Sequence, residues 1–381
     1  MPTFYFHIGM HKTGSTALQS WCARHRAELA RAGLRYPDLP EPNHGNFYVT
    51  QFNPVRERYA ERLRRRGKST YFDRRTDVRE RFERFLAGAA AEGADVLSSG
   101  EAASYLRPRA LREIADVVGR HFDRVIVLAL VRPPRSFAAS LSQEKIKAGD
   151  SFDGLLERPP VPHYRRRFQS FIDVFGDDSL RLGIFHRERL REGCVLQTVL
   201  SMTDRDVSAL AAARAPRANE SIGMAAAKLL SAVHHAAREP GRRPDVPEPV
   251  LARLARWEHG RFLDGIGAFG GRDVLWPRRL RRRVHAIEGA PFAVPEAIQE
   301  RVRDLSGEDV AWMSGRLGVD LAALDVPPTG VAPTLEECRR FNAAEVEAIC
   351  RALDRGPLFD LAAAVRRLSG RGGRPPIRAA A

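Results

Sequence analysis

Thr3-Phe4-Tyr5-Phe6-His7-Ile8-Gly9-Met10-His11-Lys12-Thr13-Gly14-Ser15-Thr16-Ala17-Leu18-Gln19 changes character twice within its length. Phe4 to Ile8 is a run of aromatic and branched residues, the pattern of a buried strand. Gly9 to Thr16 then carries two glycines, a lysine and three hydroxyl residues, which predicts a turn. From Ala17 the spacing is helical, with Leu18, Trp21, Cys22, His25 and Leu29 on one face and Gly33 as a C-terminal stop. A strand, a Gly/Lys/Thr turn and a helix start together form a cradle for phosphate. The N-terminal amides and the positive end of the helix dipole face an anion, and Lys12 adds a full charge.

The position of the lysine separates two chemistries. In the nucleoside-triphosphatase loop G-x-x-x-x-G-K-[ST] the lysine follows the second glycine. In Gly9-Met10-His11-Lys12-Thr13-Gly14-Ser15-Thr16 it precedes that glycine. This order closely resembles the 5′-phosphosulfate loop of the sulfotransferases, which use 3′-phosphoadenosine 5′-phosphosulfate (PAPS). The resemblance implies that His11, Lys12, Thr13, Gly14, Ser15 and Thr16 hold the 5′-phosphosulfate end, with Lys12 also catalytic.

Arg124 to Val131 is the strongest strand signal in the chain, a continuous apolar run suited to the middle of a parallel sheet. It ends in Arg132-Pro133-Pro134, and a helix through Phe137, Leu141 and Ile146 follows. Sulfotransferases carry there an arginine followed eight positions later by a serine, and Arg132 and Ser140 match that spacing. The resemblance assigns this pair to the 3′-phosphate, where a forked guanidinium and a hydroxyl suit the chemistry. Leu97-Ser98-Ser99-Gly100-Glu101 is similar to the strand-Ser-x-Glu segment of bacterial and heparan-type members. There a glutamate accepts the proton of the attacking hydroxyl. Gly100, directly before Glu101, loosens that register, and His11 and His44 stand as alternatives for the base or for substrate contact. Phe175-Gly176-Asp177-Asp178, and Asn219 with Ser221, also look like bacterial members, and the resemblance covers residues 3 to 225.

Further strands are expected within Gly33 to Pro37, closed by the proline, and at Ala94 to Ser98 and Ser179 to Phe185. Helices are expected at Arg56 to Arg66, Asp77 to Ala91, Pro108 to His121 and Tyr164 to Phe175, with a loop from Pro37 to Asn46. Strands alternating with helices indicate an α/β, P-loop-type, doubly wound parallel sheet with its ligands at the carboxyl ends of the strands. Lys12, Glu101 and Arg132, each following a strand, are expected at one rim of it. After Gly193 the pattern is mostly helical, including segments through Met224 to Val233, Pro295 to Leu305, Ser306 to Leu317 and Ala343 to Leu353, with a loop at Pro240 to Pro249. The expected organisation is a PAPS-binding core over 1–235, a helical extension packed on it over 236–368, and a disordered Gly/Arg/Pro/Ala tail over 369–381.

The chain has 381 residues, 44% of them hydrophobic and 29% charged, as expected of a soluble globular protein. No apolar run approaches the roughly 18–20 residues of a membrane span, and the chain opens directly on a strand, so neither a span nor a signal peptide is expected. Cys22, Cys194, Cys338 and Cys350 lack metal-ligand spacing, which points to free thiols in a reducing, cytoplasmic setting, and no metal is expected. A formal net charge of +15 suits polyanionic ligands without choosing among them.

The implied reaction moves a sulfuryl group from PAPS to a hydroxyl of a carbohydrate, glycolipid or small metabolite. Two other classes compete. A P-loop kinase would need its lysine after Gly14 and an acidic residue where Arg132 stands. A nucleic-acid-binding protein would rest on net charge and the basic run Arg278 to Arg283, without a reading motif, and no nucleic-acid partner is expected.

Overall fold

The computed structural model describes residues 2–53, 75–207, 210, 221–238, 242–256, 278–325 and 332–354. The expected helix at Arg56 to Arg66, Asn219 and the tail lie outside the described residues.

Five strands form one parallel sheet: β1 (Thr3–His7), β2 (Leu34–Arg35), β3 (Asp95–Ser99), β4 (Arg124–Val131) and β5 (Leu180–Ile184), in the order β2-β3-β1-β4-β5. The order reverses direction at β1, so the loop after it opens at a topological switch point, where ligands bind in open α/β sheets.

Alternation along the strands divides the apolar residues between two cores. Phe4, Phe6, Val96, Val127 and Ala129 face one side. There they meet α5 (Pro108–Gly119) and α8 (Tyr164–Phe175) through Leu111, Ile114, Phe168 and Phe171. Tyr5, Leu97, Ile126, Leu128 and Leu130 face the other side, against α1 (Ser15–Arg24) and α9 (Val195–Ser201). Burial on both faces is why β4 reads as a continuous apolar run.

The remaining helices of this part are α2 (Arg26–Arg31), α3 (Gly45–Phe52), α4 (Arg75–Ala91), α6 (Pro134–Lys147) and α7 (Phe152–Glu157). The helix expected to run on from Ala17 divides at His25, whose Nδ1 lies 2.9 Å from Trp21 O and whose ring stacks on Trp21. That side chain competes with the backbone ladder for the same carbonyl. Where two helices are expected between Pro295 and Leu317, one, α13 (Glu296–Leu317), runs unbroken. The Ser306 hydroxyl donates back to Val302 O at 2.6 Å, so it sits inside the helix and starts none.

The chain forms two compact units. One contains the sheet and takes in Ala293–Leu335, hence α13. The other is helical, with α10 (Met224–Ala236), α11 (Glu248–Ala255), α12 (Arg278–His285), α14 (Leu335–Arg339) at its edge and α15 (Ala343–Asp354). In it the buried Lys228 ammonium lies 2.8 Å from Glu345 Oε1 and donates to Arg340 O at 2.9 Å. The basic run forms α12, with Leu280 and Val284 buried and Arg279, Arg281 and Arg282 exposed, a solvated face. Among the described residues no helix is long and apolar enough to cross a membrane.

Candidate active site

The carboxyl ends of β1, β3 and β4 meet at the peptide of Lys12. Its N–H donates to Glu101 Oε1 at 3.2 Å, and its carbonyl accepts from Arg132 Nη1 at 2.5 Å. Lys12 is held at φ +69°, in the left-handed region that a residue with a Cβ enters only at a cost. The two charged contacts flanking the peptide supply the restraint that keeps it there.

The rest of the loop is built around this point. Thr13 is buried, and its hydroxyl donates to Met10 O at 2.7 Å, so it braces the turn from inside. Gly14 sits at φ +77°, and a Cβ there would stand 3.0 Å from Val195 Cγ2. Both its conformation and its tight contact require glycine. Gly14 is also the N-cap of α1, and no side chain caps the helix there. Its first amides carry the positive end of the dipole. Ser15 is buried and Thr16 exposed in that first turn.

Glu101 opens a turn of 3₁₀ helix to Tyr105. His11 Nδ1 lies 3.0 Å from Glu101 Oε1, and neither this contact nor the Lys12 amide engages Oε2. Burial raises the Glu101 carboxyl, but the His11 ring and the Lys12 amide and ammonium outweigh it and hold the group below its ordinary range. The glycine before Glu101 has a spatial cause. A Cβ on Gly100 would come within 2.8 Å of Gly45 N, because the His44–Gly45 backbone crosses directly over it.

The Arg132 guanidinium donates from Nε to Ser136 Oγ at 2.8 Å and lies 5.1 Å from the centre of the Phe185 ring. Its immediate hydroxyl partner is therefore Ser136, one turn before Ser140 on α6. The Lys12 ammonium is 3.9 Å from Glu144 Oε2 on the same helix. Beside His11 stands Tyr105, 53% exposed, with ring centroids 5.3 Å apart. The buried Arg167 fixes Tyr105 from behind, donating from Nη2 to its hydroxyl at 2.7 Å.

Two histidines lie beneath this rim. His7 Nδ1 is 2.7 Å from Ser99 Oγ, and burial pushes its pKa down to about 4. His44 is fully buried against Tyr36, with Nδ1 2.8 Å from Ser98 Oγ, and burial pushes it down to about 3. Of the two histidines considered as alternative bases, the structure brings His11 to Glu101 and places His44 in the interior. His7 was not among the residues marked by sequence, since within an apolar strand it reads only as a core position.

An open depression of about 700 Å³ is lined by residues of β5 and α13, including Leu180, Leu182, Trp312 and Arg316, and none of the loop residues borders it. No metal-ligand group of three or more side chains occurs among the described residues.

No family model and no curated protein matches the chain. Among solved structures, a sulfotransferase from Alicyclobacillus acidocaldarius is similar to it, with a TM-score of 0.37 and 14% identity over 86% of this chain and 99% of that one. At that degree of likeness, function has to be read from the residues of the rim.

Proposed function

We propose that this chain is a sulfotransferase that moves a sulfuryl group from PAPS to an acceptor hydroxyl. What carries the reading is the Lys12 peptide, held between Glu101 and Arg132 at the switch point beside an uncapped helix start. An anion with a phosphosulfate tail suits that start, because its amides, the Ser15 and Thr16 hydroxyls and the Lys12 ammonium together supply donors and positive charge.

In the proposed reaction the acceptor oxygen attacks sulfur in line, and the bond from sulfur to the bridging oxygen breaks. Lys12 neutralises the charge that collects on that oxygen as adenosine 3′,5′-bisphosphate leaves. The acceptor proton passes to Glu101, whose low pKa keeps it ionised at neutral pH and whose Oε2 is not engaged by Lys12 or His11. Arg132 and Ser140 take the 3′-phosphate. The acceptor, a carbohydrate, glycolipid or small-metabolite hydroxyl, enters beside Tyr105 and His11.

The test is calorimetry with adenosine 3′,5′-bisphosphate and adenosine 5′-monophosphate, alongside transfer from labelled PAPS to a panel of hydroxyl acceptors. Arg132→Ala should weaken the bisphosphate by about tenfold or more, as a charge-assisted contact of roughly 1.5–3 kcal/mol predicts. The monophosphate should be affected much less. Equal losses for both nucleotides would assign Arg132 to the fold, and absence of transfer to any acceptor would count against the reaction.

A further inference from the structure

The helix that follows Arg132 starts without a polar cap of its own. Phe137 N donates to Pro133 O, which makes Pro133 the residue before the first turn, and proline offers no side-chain acceptor. The next exposed amides are nevertheless closed. Asp325 accepts from Ser136 N through Oδ1 at 3.0 Å and from Arg135 N through Oδ2. A second carboxylate repeats the device at α8, where Asp309 accepts from Tyr164 N at 2.6 Å and from Arg165 N at 2.7 Å.

Both capped helices reach back to Arg132. Ser136, whose amide Asp325 holds, offers its hydroxyl to Arg132 Nε at 2.8 Å. Tyr164, whose amide Asp309 holds, donates its hydroxyl to Arg132 O at 2.5 Å. The guanidinium and the main chain of one arginine are thus each tied, through one intermediate residue, to a carboxylate from the stretch 309–325. Asp325 is buried, so it forms a fixed restraint. Burial lowers the Arg132 pKa to about 10, and the negative charge of Asp325 opposes that fall.

We propose that Asp325 and Asp309 are positioning residues for Arg132, setting the angle at which its guanidinium meets the 3′-phosphate. This rests on the nucleotide reading above. Because Asp325 occupies the first amides of α6, a phosphate there must be held by side chains, and its discrimination depends on how firmly the arginine is placed.

The experiment is calorimetry on the full chain with adenosine 3′,5′-bisphosphate and adenosine 5′-monophosphate, with melting temperature recorded for each variant. Asp325→Asn should reduce the preference for the bisphosphate about tenfold and leave monophosphate affinity within about twofold. Asp309→Asn, which acts on the main chain of Arg132, should reduce the preference about threefold. A lower melting temperature with the preference intact would make the carboxylates helix caps and nothing more, and would overturn the inference. If Asp325→Asn does not fold, Asp309→Asn decides, and an unchanged preference there overturns it equally. A wild-type protein that binds both nucleotides alike would remove the nucleotide reading, and the inference with it. Preference in the wild type that survives in both variants would sink the inference alone.

Discussion

Two helices begin side by side at the carboxyl rim of the sheet, and they treat their exposed amides in opposite ways. α1, after β1, starts at Gly14 with no side-chain cap and no acidic residue in its first turn. α6, after β4, starts behind Pro133-Pro134 and has its amides closed by Asp325. Both starts offer the same partial positive charge. On the proposed reading, a chain that supplies its own carboxylate to one and none to the other would keep the first for an external anion. It turns the second into a rigid mount. On the α1 side the ligand would meet backbone and Lys12; on the α6 side it would meet only side chains, Arg132 foremost.

The largest effect expected from breaking this asymmetry is at Lys12. Lys12→Ala removes the charge but keeps the backbone at φ +69° between Glu101 and Arg132. Single-turnover transfer from PAPS should fall by about 10²-fold or more, with the melting temperature little changed. Lys12→Gly should lose as much activity while gaining roughly 0.5–1 kcal/mol of stability from released backbone strain. Near-normal transfer in either folded variant would move the chemistry away from this loop.

A second difference lies underneath. The α1 loop rests on the neutral, buried His7, whereas α6 rests on the Asp325 carboxyl, whose pKa burial raises against the pull of the Arg135 and Ser136 amides. His7 has a folded pKa of about 4 against an ordinary 6.5, so between those values the unfolded chain binds the proton and the folded one does not. Stability from this group is complete above pH 6.5 and is lost as pH falls toward 4, by about 3 kcal/mol at most. His44, at about 3, acts in the same direction. Urea melts across pH 4 to 7 should show this slope in the wild type and a shallower one in His7→Asn, whose amide can still meet Ser99. Equal slopes would mean that His7 titrates normally and is more open to water than its burial indicates.

How legible each half was in the sequence follows from the distances involved. The α1 half is local: the strand, Gly14, Lys12 and the helix start lie within a few residues of one another, and composition alone exposes them. Tyr164–Phe175 is equally local, since an amphipathic stretch closes on Gly176 at φ +88°. The α6 half is not. Asp325 meets Ser136 across 189 positions and Asp309 meets Tyr164 across 145, and neither aspartate differs in its neighbourhood from a solvated one. Gly100 before Glu101 looked like a flaw in the motif because the backbone that demands it, His44–Gly45, belongs to another segment. That segment continues into α3, which was missed for a related reason. Gly45–Phe52 follows a Pro/Asn-rich loop and gains its order from burying Phe47 and Tyr48 on the core. Ser140 was read from spacing, whereas the guanidinium's hydroxyl contact goes to Ser136, because the arginine folds back onto the nearest turn.

The smallest and most direct test is to give α1 what α6 already has. Thr16 is exposed in the first turn of α1, so Thr16→Asp places a carboxylate at the open amides without disturbing the core. For the protein alone this is favourable: an acidic residue at a helix start adds about 0.3–1 kcal/mol at low ionic strength. For an anionic ligand it is unfavourable, because the new charge occupies the field that the ligand would use. The melting temperature should therefore rise slightly while adenosine 3′,5′-bisphosphate binds about tenfold more weakly, a difference of about 1.4 kcal/mol. Thr16→Asn removes the same hydroxyl without adding charge, so its loss measures the hydroxyl's share and the further loss in Thr16→Asp measures the charge's. Both effects of the aspartate should shrink in high salt, as interactions at an exposed helix end do. Stabilisation with unchanged nucleotide affinity would place the phosphate elsewhere on the rim, and the contrast between the two helix starts would then concern folding alone.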